Sequence, residues 1–243
     1  MASNPDAARL TELHRRSQTV IAERVSLLTA RAWLSLMDPF DVDGSFARWF
    51  PVTAQIVRAQ ASVSAQIAAV YYSAFRRLEV GEPFQATPAA PPSADEMARS
   101  LRVTGPAAVK RAQRVNTVER AMEIGRAMSS RSAARLALAG GRDTIAAAIQ
   151  SDRYCIGYYR ATSGAACAWC AMVASRGATY KSQESASFHA HDGCNCTAEP
   201  LFADTDSQLP AASQRYRDLW DEVSAGHGGR SALNAFRRAL AAG

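Results

Sequence analysis

The chain has 243 residues, 48% of them hydrophobic and 21% charged, with a net charge of +6 and a pI near 9.3. That length holds one large domain or two small ones, and the apolar content is enough for a core. No apolar run is long enough to span a membrane. The N-terminal MASNPDAARLTEL also lacks the apolar stretch of a signal peptide, so the expectation is a protein made in the cytosol and without a membrane partner.

Abundant alanine and sparse glycine lean the chain towards helix. Residues 7–37 carry Leu10, Leu13, Ile21, Val25, Leu28 and Leu36 at helical spacing, with Ala32 filling the stripe. Asp38-Pro39 ends that helix. Residues 41–51, with Phe46, Trp49 and Phe50, read as a packed loop or short helical turn. A second helix is expected over 52–79, with Ile56, Val63, Ile67 and Tyr71 on one stripe, so the two helices form an N-terminal region over 1–80.

Residues 81–92, GEPFQATPAAPP, are the best linker in the chain, because their prolines favour extended structure. Ser93-Ala-Asp-Glu96 fits a capping box. It opens a central helical segment over 93–152, interrupted at Gly105-Pro106. The longer helix from about 106 is expected to stop at Gly140-Gly141, since glycines commonly close helices, and a shorter one follows over 143–152. Between Met97 and Gln150 this segment has ten Lys or Arg against three acids. Such a block suits a polyanion or an acidic protein surface, and it equally suits a solvated helix face.

The pattern changes at Tyr154. Residues 155–162 are rich in aromatic and β-branched types and read as a strand, followed by a turn at Ser163-Gly164. Residues 167–175 read as a short helix closed by Gly177, 178–181 as a second short strand, 182–187 as a polar loop and 196–202 as a third strand. These belong to a module over 153–203. Two terminal helices, 210–225 and 230–240, complete the region 204–243. The fold class expected is α+β, mostly α.

Four of the five cysteines fall in that module. Cys167-Ala-Trp-Cys170 is followed by His189-Ala-His191-Asp-Gly-Cys194-Asn-Cys196. A CxxC turn places two sulfurs on one side, and a second ligand pair must come from elsewhere. Zinc is the simplest occupant. The preferred set is Cys167, Cys170, His191 and one of Cys194 or Cys196. A four-cysteine site with His191 outside it stays open, because Cys194 and Cys196 share one face of an extended segment. Four protein ligands leave no open position, which points to a structural metal rather than a catalytic one. Cys155 reads as a core residue, Trp169 as packing, and His14 and His227 have no assigned role. The HxE of a zinc deaminase and the HExxH of a zincin are both absent. A redox CxxC would leave the histidine–cysteine cluster unexplained. A zinc-bound HNH nuclease with His189 as base, or a DNA-binding protein with a zinc-stabilised fold, are the competing functions.

The runs RATSGAACAWCAMVASRG at 160–177, YKS at 180–182 and HDGCNCT at 191–197, with Pro200 after them, resemble the head-morphogenesis domain of tailed bacteriophages. This is the MuF-like minor capsid protein family, in the form common in phages of actinobacteria. The likeness covers about 152–202. It departs at Asp192-Gly193, where the family often has Pro-Asn, and in the extra His189. The resemblance implies a non-enzymatic virion component, present in multiple copies at the portal or inner capsid surface, with structural zinc. Its implied partners are the portal, the major capsid protein or a scaffold. Arg111, Arg114 and Arg120 are candidate contacts to packaged DNA.

Overall fold

The computed structural model describes residues 4–162, 166–177, 190–202 and 211–242. Helix α1, Pro5–Leu36, starts where the Asn4 side chain accepts the Asp6 N–H at 2.8 Å. Its inner face carries Ile21, Val25 and Trp33, but also His14 and Gln18. Leu13, expected on the inner stripe, is 50% exposed. His14 has a structural place. It is buried and stacked on Tyr71 with ring centroids 4.4 Å apart, and burial pulls its imidazole down to about 4.

Helix α2, Val42–Val80, is longer than its sequence suggests. The Asp41 carboxylate accepts the Gly44 N–H at 3.0 Å and caps the helix at 42. Residues 42–51 are therefore helix, and Pro51 lies inside α2. The local helix survives because Phe46 and Trp49, three apart, pack inward together, with Trp49 edge-on to Trp33 at 5.4 Å. The stripe expected on α2 is only partly its inner face: Tyr71 is buried and Ile56 and Ile67 are half-buried. Val63 is 40% exposed, whereas Ala61, Ser64, Ala65 and Ala68 are fully buried.

Residues 81–92 are extended, as their prolines favour, and lie along the helices. The Ala86 N–H donates to Ser73 Oγ at 3.1 Å, and the Ala89 N–H donates to Thr144 Oγ1 at 2.9 Å. Ser93 accepts the Glu96 N–H at 3.2 Å and starts α3, Ala94–Thr104. Gly105 separates it from α4, Pro106–Ala112. Thr117 then caps α5, Val118–Ser151.

Gly140-Gly141 does not end α5. The helix runs through both glycines because they face α2 at close range. A Cβ on Gly140 would sit 2.2 Å from the Ala61 carbonyl oxygen, and one on Gly141 would sit 2.6 Å from Ser64 Oγ. The Gly141 N–H donates to that hydroxyl at 3.0 Å. Small residues on both helices let the backbones approach, and α1, α2 and α5 form the main helical body. We expect Gly140→Ala to lower stability by about 1–2 kcal/mol, although alanine in an isolated helix gains about 1 kcal/mol over glycine. The sign of the change in melting temperature decides between packing and propensity.

Strand β1, Cys155–Ala161, pairs antiparallel with β2, Thr197–Phe202, and Tyr158 lies opposite Pro200. The two-stranded sheet packs on α5 and α2 through Phe202, which lies against Tyr72 and Phe75. Helix α6, Ala168–Ser175, follows β1, and Gly177 beyond it adopts φ +71°. Helices α7, Ala211–Ser224, and α8, Gly229–Ala242, pack on α6 and on each other. Phe236 meets Met172 and Val173 there, with Trp220 edge-on at 5.3 Å. The molecule is thus mostly helical with a small antiparallel sheet towards its C-terminal end. The strand expected at 178–181, the turn at 163–164 and the loop at 182–187 lie outside the described residues.

Candidate metal centre

Cys167 occupies the N-cap of α6, and its sulfur accepts the Cys170 N–H at 3.4 Å. Cys170 follows on the first turn, so the CxxC spacing sets both sulfurs on one side as its geometry requires. Cys170 is buried and Cys167 is exposed.

The opposing pair arrives from a turn at 191–194. The Cys194 N–H donates to the His191 carbonyl at 3.0 Å, and Gly193 adopts φ +83°, a conformation that favours glycine. Arg135 on α5 holds the turn, with Nε 2.7 Å from Asp192 Oδ1. The Asp192-Gly193 departure from the phage pattern therefore has a local reason in this chain. Cys194 and Cys196 are two residues apart, so an extended course puts them on one face, and both are buried.

Two triads of ligand atoms result, each with all members within 4.8 Å of one another: Cys167, Cys170 and His191, and Cys170, Cys194 and Cys196. Cys170 belongs to both. Its sulfur is 3.5 Å from that of Cys194, close to the roughly 3.8 Å between sulfurs that share one tetrahedral zinc with Zn–S bonds of about 2.3 Å. All five predicted ligands are therefore gathered. His189 lies outside the described residues. Cys155 is not in either triad; its Sγ lies 3.3 Å from the Gly157 and Leu201 carbonyls. Trp169, expected to pack, is 45% exposed and is the one residue of α6 that is not buried.

The spacing of cysteines does not reveal the two arginines around them. Arg142, from α5, donates from Nη2 to the Cys194 carbonyl at 2.6 Å and the Cys196 carbonyl at 3.1 Å, and from Nε to the latter at 3.2 Å. Arg160, from β1, places Nη1 3.9 Å from the sulfurs of both Cys170 and Cys194. Both guanidiniums are buried. Nothing in the local sequence marks either arginine for the site: Arg142 is followed by Asp143 and shares its helix with Arg131 and Arg135, as a solvated charge would.

Buried cations beside buried sulfurs favour thiolates. The hydrogen bonds from the Cys170 and Cys196 thiols, then the charge of Arg142, pull the Cys194 thiol far below its usual range. The same hydrogen bond to Cys194 pushes Cys170 up. Thiolates this close repel one another, so ionising all three sulfurs needs a cation between them. The donor set fits a soft divalent metal such as zinc.

The basic block is dispersed in the fold. Arg142 and Arg135 serve the cysteine turn, Lys110 pairs with Asp43, Arg102 lies over the Phe46 ring at 4.7 Å, and Arg120 pairs with Glu123 at 2.9 Å. Arg111 and Arg114 are exposed at the junction of α4 and α5.

Fold and site together define a helix-rich protein whose C-terminal α+β part carries a cysteine–histidine cluster able to hold a metal ion. The family model described as "VG15 protein" matches residues 1–223, and the chain belongs to that phage-associated family. No curated protein and no solved structure matches it. No helix among the described residues is long and apolar enough to cross a membrane.

Proposed function

We propose that the protein is a minor capsid protein of head morphogenesis, a virion component rather than an enzyme, acting at the portal or the inner capsid surface. The carrying observation is the cysteine cluster, which joins α6 to the turn held by α5, in a chain of a phage-associated family. The MuF-like pattern of residues 160–197 supports the finer assignment. A zinc ion held by Cys167, Cys170, Cys194 and Cys196 is the occupant we favour. Four thiolates and one zinc carry two negative charges, which Arg142 and Arg160 offset. His191 then stands beside Cys167 at the exposed edge. On this view His191→Ala retains one zinc per chain, and Cys196→Ser loses it.

The long helices α1 and α2 supply surface for the portal, the major capsid protein or a scaffold. Mass spectrometry of purified virions tests the reading: the chain is expected in mature heads at substoichiometric copy number, and its absence from virions overturns the assignment. Arg111, Arg114 and Arg120 are exposed and suit packaged DNA. Reversing all three to Glu is expected to lower DNA retention in heads, and unchanged retention removes DNA from the list of partners.

A further inference from the structure

Helix α1 is apolar on a second face. Leu13, Val20, Leu27 and Leu34 recur every seven residues and are 50%, 62%, 52% and 68% exposed. The opposite face of the same helix is buried against α2 and α5. Single exposed apolar residues are ordinary, but four at a seven-residue spacing line up along one edge of the helix, a seam of one apolar row where a full coiled coil has two. The seam runs about 32 Å at 1.5 Å per residue. At its C-terminal end Leu34 borders a cleft of about 430 Å³ lined also by Met37, Pro39, Phe40, Val118 and Met122. Phe40 is 91% exposed there and continues the apolar row beyond Leu34.

We propose that this face pairs with the same face of a second copy of the chain, as a parallel two-helix contact along α1. The charges beside the seam select both the partner and its direction. Glu23 and Arg24, three and four residues on from Val20, flank the seam on opposite sides, and both are exposed. Neither joins an ion pair among the described residues. A two-fold axis along a parallel pair brings Glu23 of one copy beside Arg24 of the other, and does so twice. An antiparallel pair sets Glu23 against Glu23 and Arg24 against Arg24. The equivalent parallel neighbours are Arg16 with Ser17 and Ala30 with Arg31, so no like charges meet. The identical layers Leu13, Val20, Leu27 and Leu34 then stack on themselves.

Sedimentation of the full-length protein over a range of concentrations tests this. A monomer–dimer equilibrium is expected. Val20→Glu with Leu27→Glu should raise the dissociation constant by about a hundredfold or more, roughly tenfold for every 1.4 kcal/mol lost. Both positions are on the solvent face, so unchanged helical content and melting temperature in the variant confirm that it is folded. Glu23→Arg alone should weaken the dimer, and Glu23→Arg with Arg24→Glu should restore it. A monomer at every concentration, or a dimer indifferent to Val20→Glu/Leu27→Glu, overturns the proposal. A dimer that the charge exchange fails to restore overturns the parallel arrangement.

Discussion

Removing the metal, or changing Cys170 to serine, is expected to release the C-terminal part of the molecule and leave the helical body folded. Cys170 is shared by both ligand triads, so its loss leaves neither complete. Structural zinc contributes about 10–16 kcal/mol of apparent binding free energy in small modules near neutral pH, more than a two-stranded sheet and one short helix supply by packing. Helices α7 and α8 rest mainly on α6, and therefore follow it. The body, by contrast, has its own cluster around Trp33, Trp49, Leu101 and Leu136. Limited proteolysis with and without chelator reads this directly: cleavage is expected beyond 153, with the helical body up to about residue 152 protected. Cys155→Ser is the control and should keep both metal and protection. Protein purified without chelator that contains no zinc, or a Cys170→Ser variant with unaltered protease resistance, would sink the metal-clip reading and bring thiol chemistry forward.

Asp152→Ala is expected to cost about 3–5 kcal/mol, as loss of one partner from a buried ion pair does. Asp152 ends α5 and is almost fully buried. Its Oδ2 lies 3.2 Å from Arg76 Nε and accepts the Tyr72 hydroxyl at 3.3 Å, while its Oδ1 accepts the Tyr154 N–H at 3.1 Å. Arg76 is only 4% exposed along its side chain. It also donates to the Glu82 carbonyl and lies over the Tyr154 ring at 4.8 Å. The carboxylate therefore ties α2 to the entry of β1, and through Arg76 both are joined to the 81–92 strap. Without it, a guanidinium is left in an apolar site with only a carbonyl and a partly exposed glutamate near it. Replacing both partners, Arg76→Met with Asp152→Leu, should recover much of the loss, because the desolvation cost disappears with the charges. Urea denaturation of the three variants measures this. A loss under about 1 kcal/mol for Asp152→Ala would mean that Glu82 takes over the pairing.

The sequence alone determined the elements whose signals are local. Ser93 and Glu96 marked the start of α3, the prolines of 81–92 marked an extended segment, and Gly105-Pro106 marked a break. The five metal candidates were legible because ligand spacing is set by the ion and not by the fold. Other features needed the tertiary structure, for physical reasons that differ. Residues 42–51 are helix because Phe46 and Trp49 find Trp33, which outweighs the weak local signal around Pro51. Gly140-Gly141 reads as a stop to any local rule, yet the close approach of Ala61 and Ser64 makes glycine the residue that fits mid-helix. Periodicity follows large side chains, so it put Leu13 and Val63 in the core, where the packed face is in fact Ala61, Ser64, Ala65 and Ala68. Arg142 and Arg160 became part of the metal centre only when α5 and β1 were brought against the cysteine turn. Arg142 is 52 and 54 residues from the cysteines whose carbonyls it meets and Arg160 is 34 from Cys194, separations that leave no spacing to read, and burial among counter-charges is a property of the assembled fold.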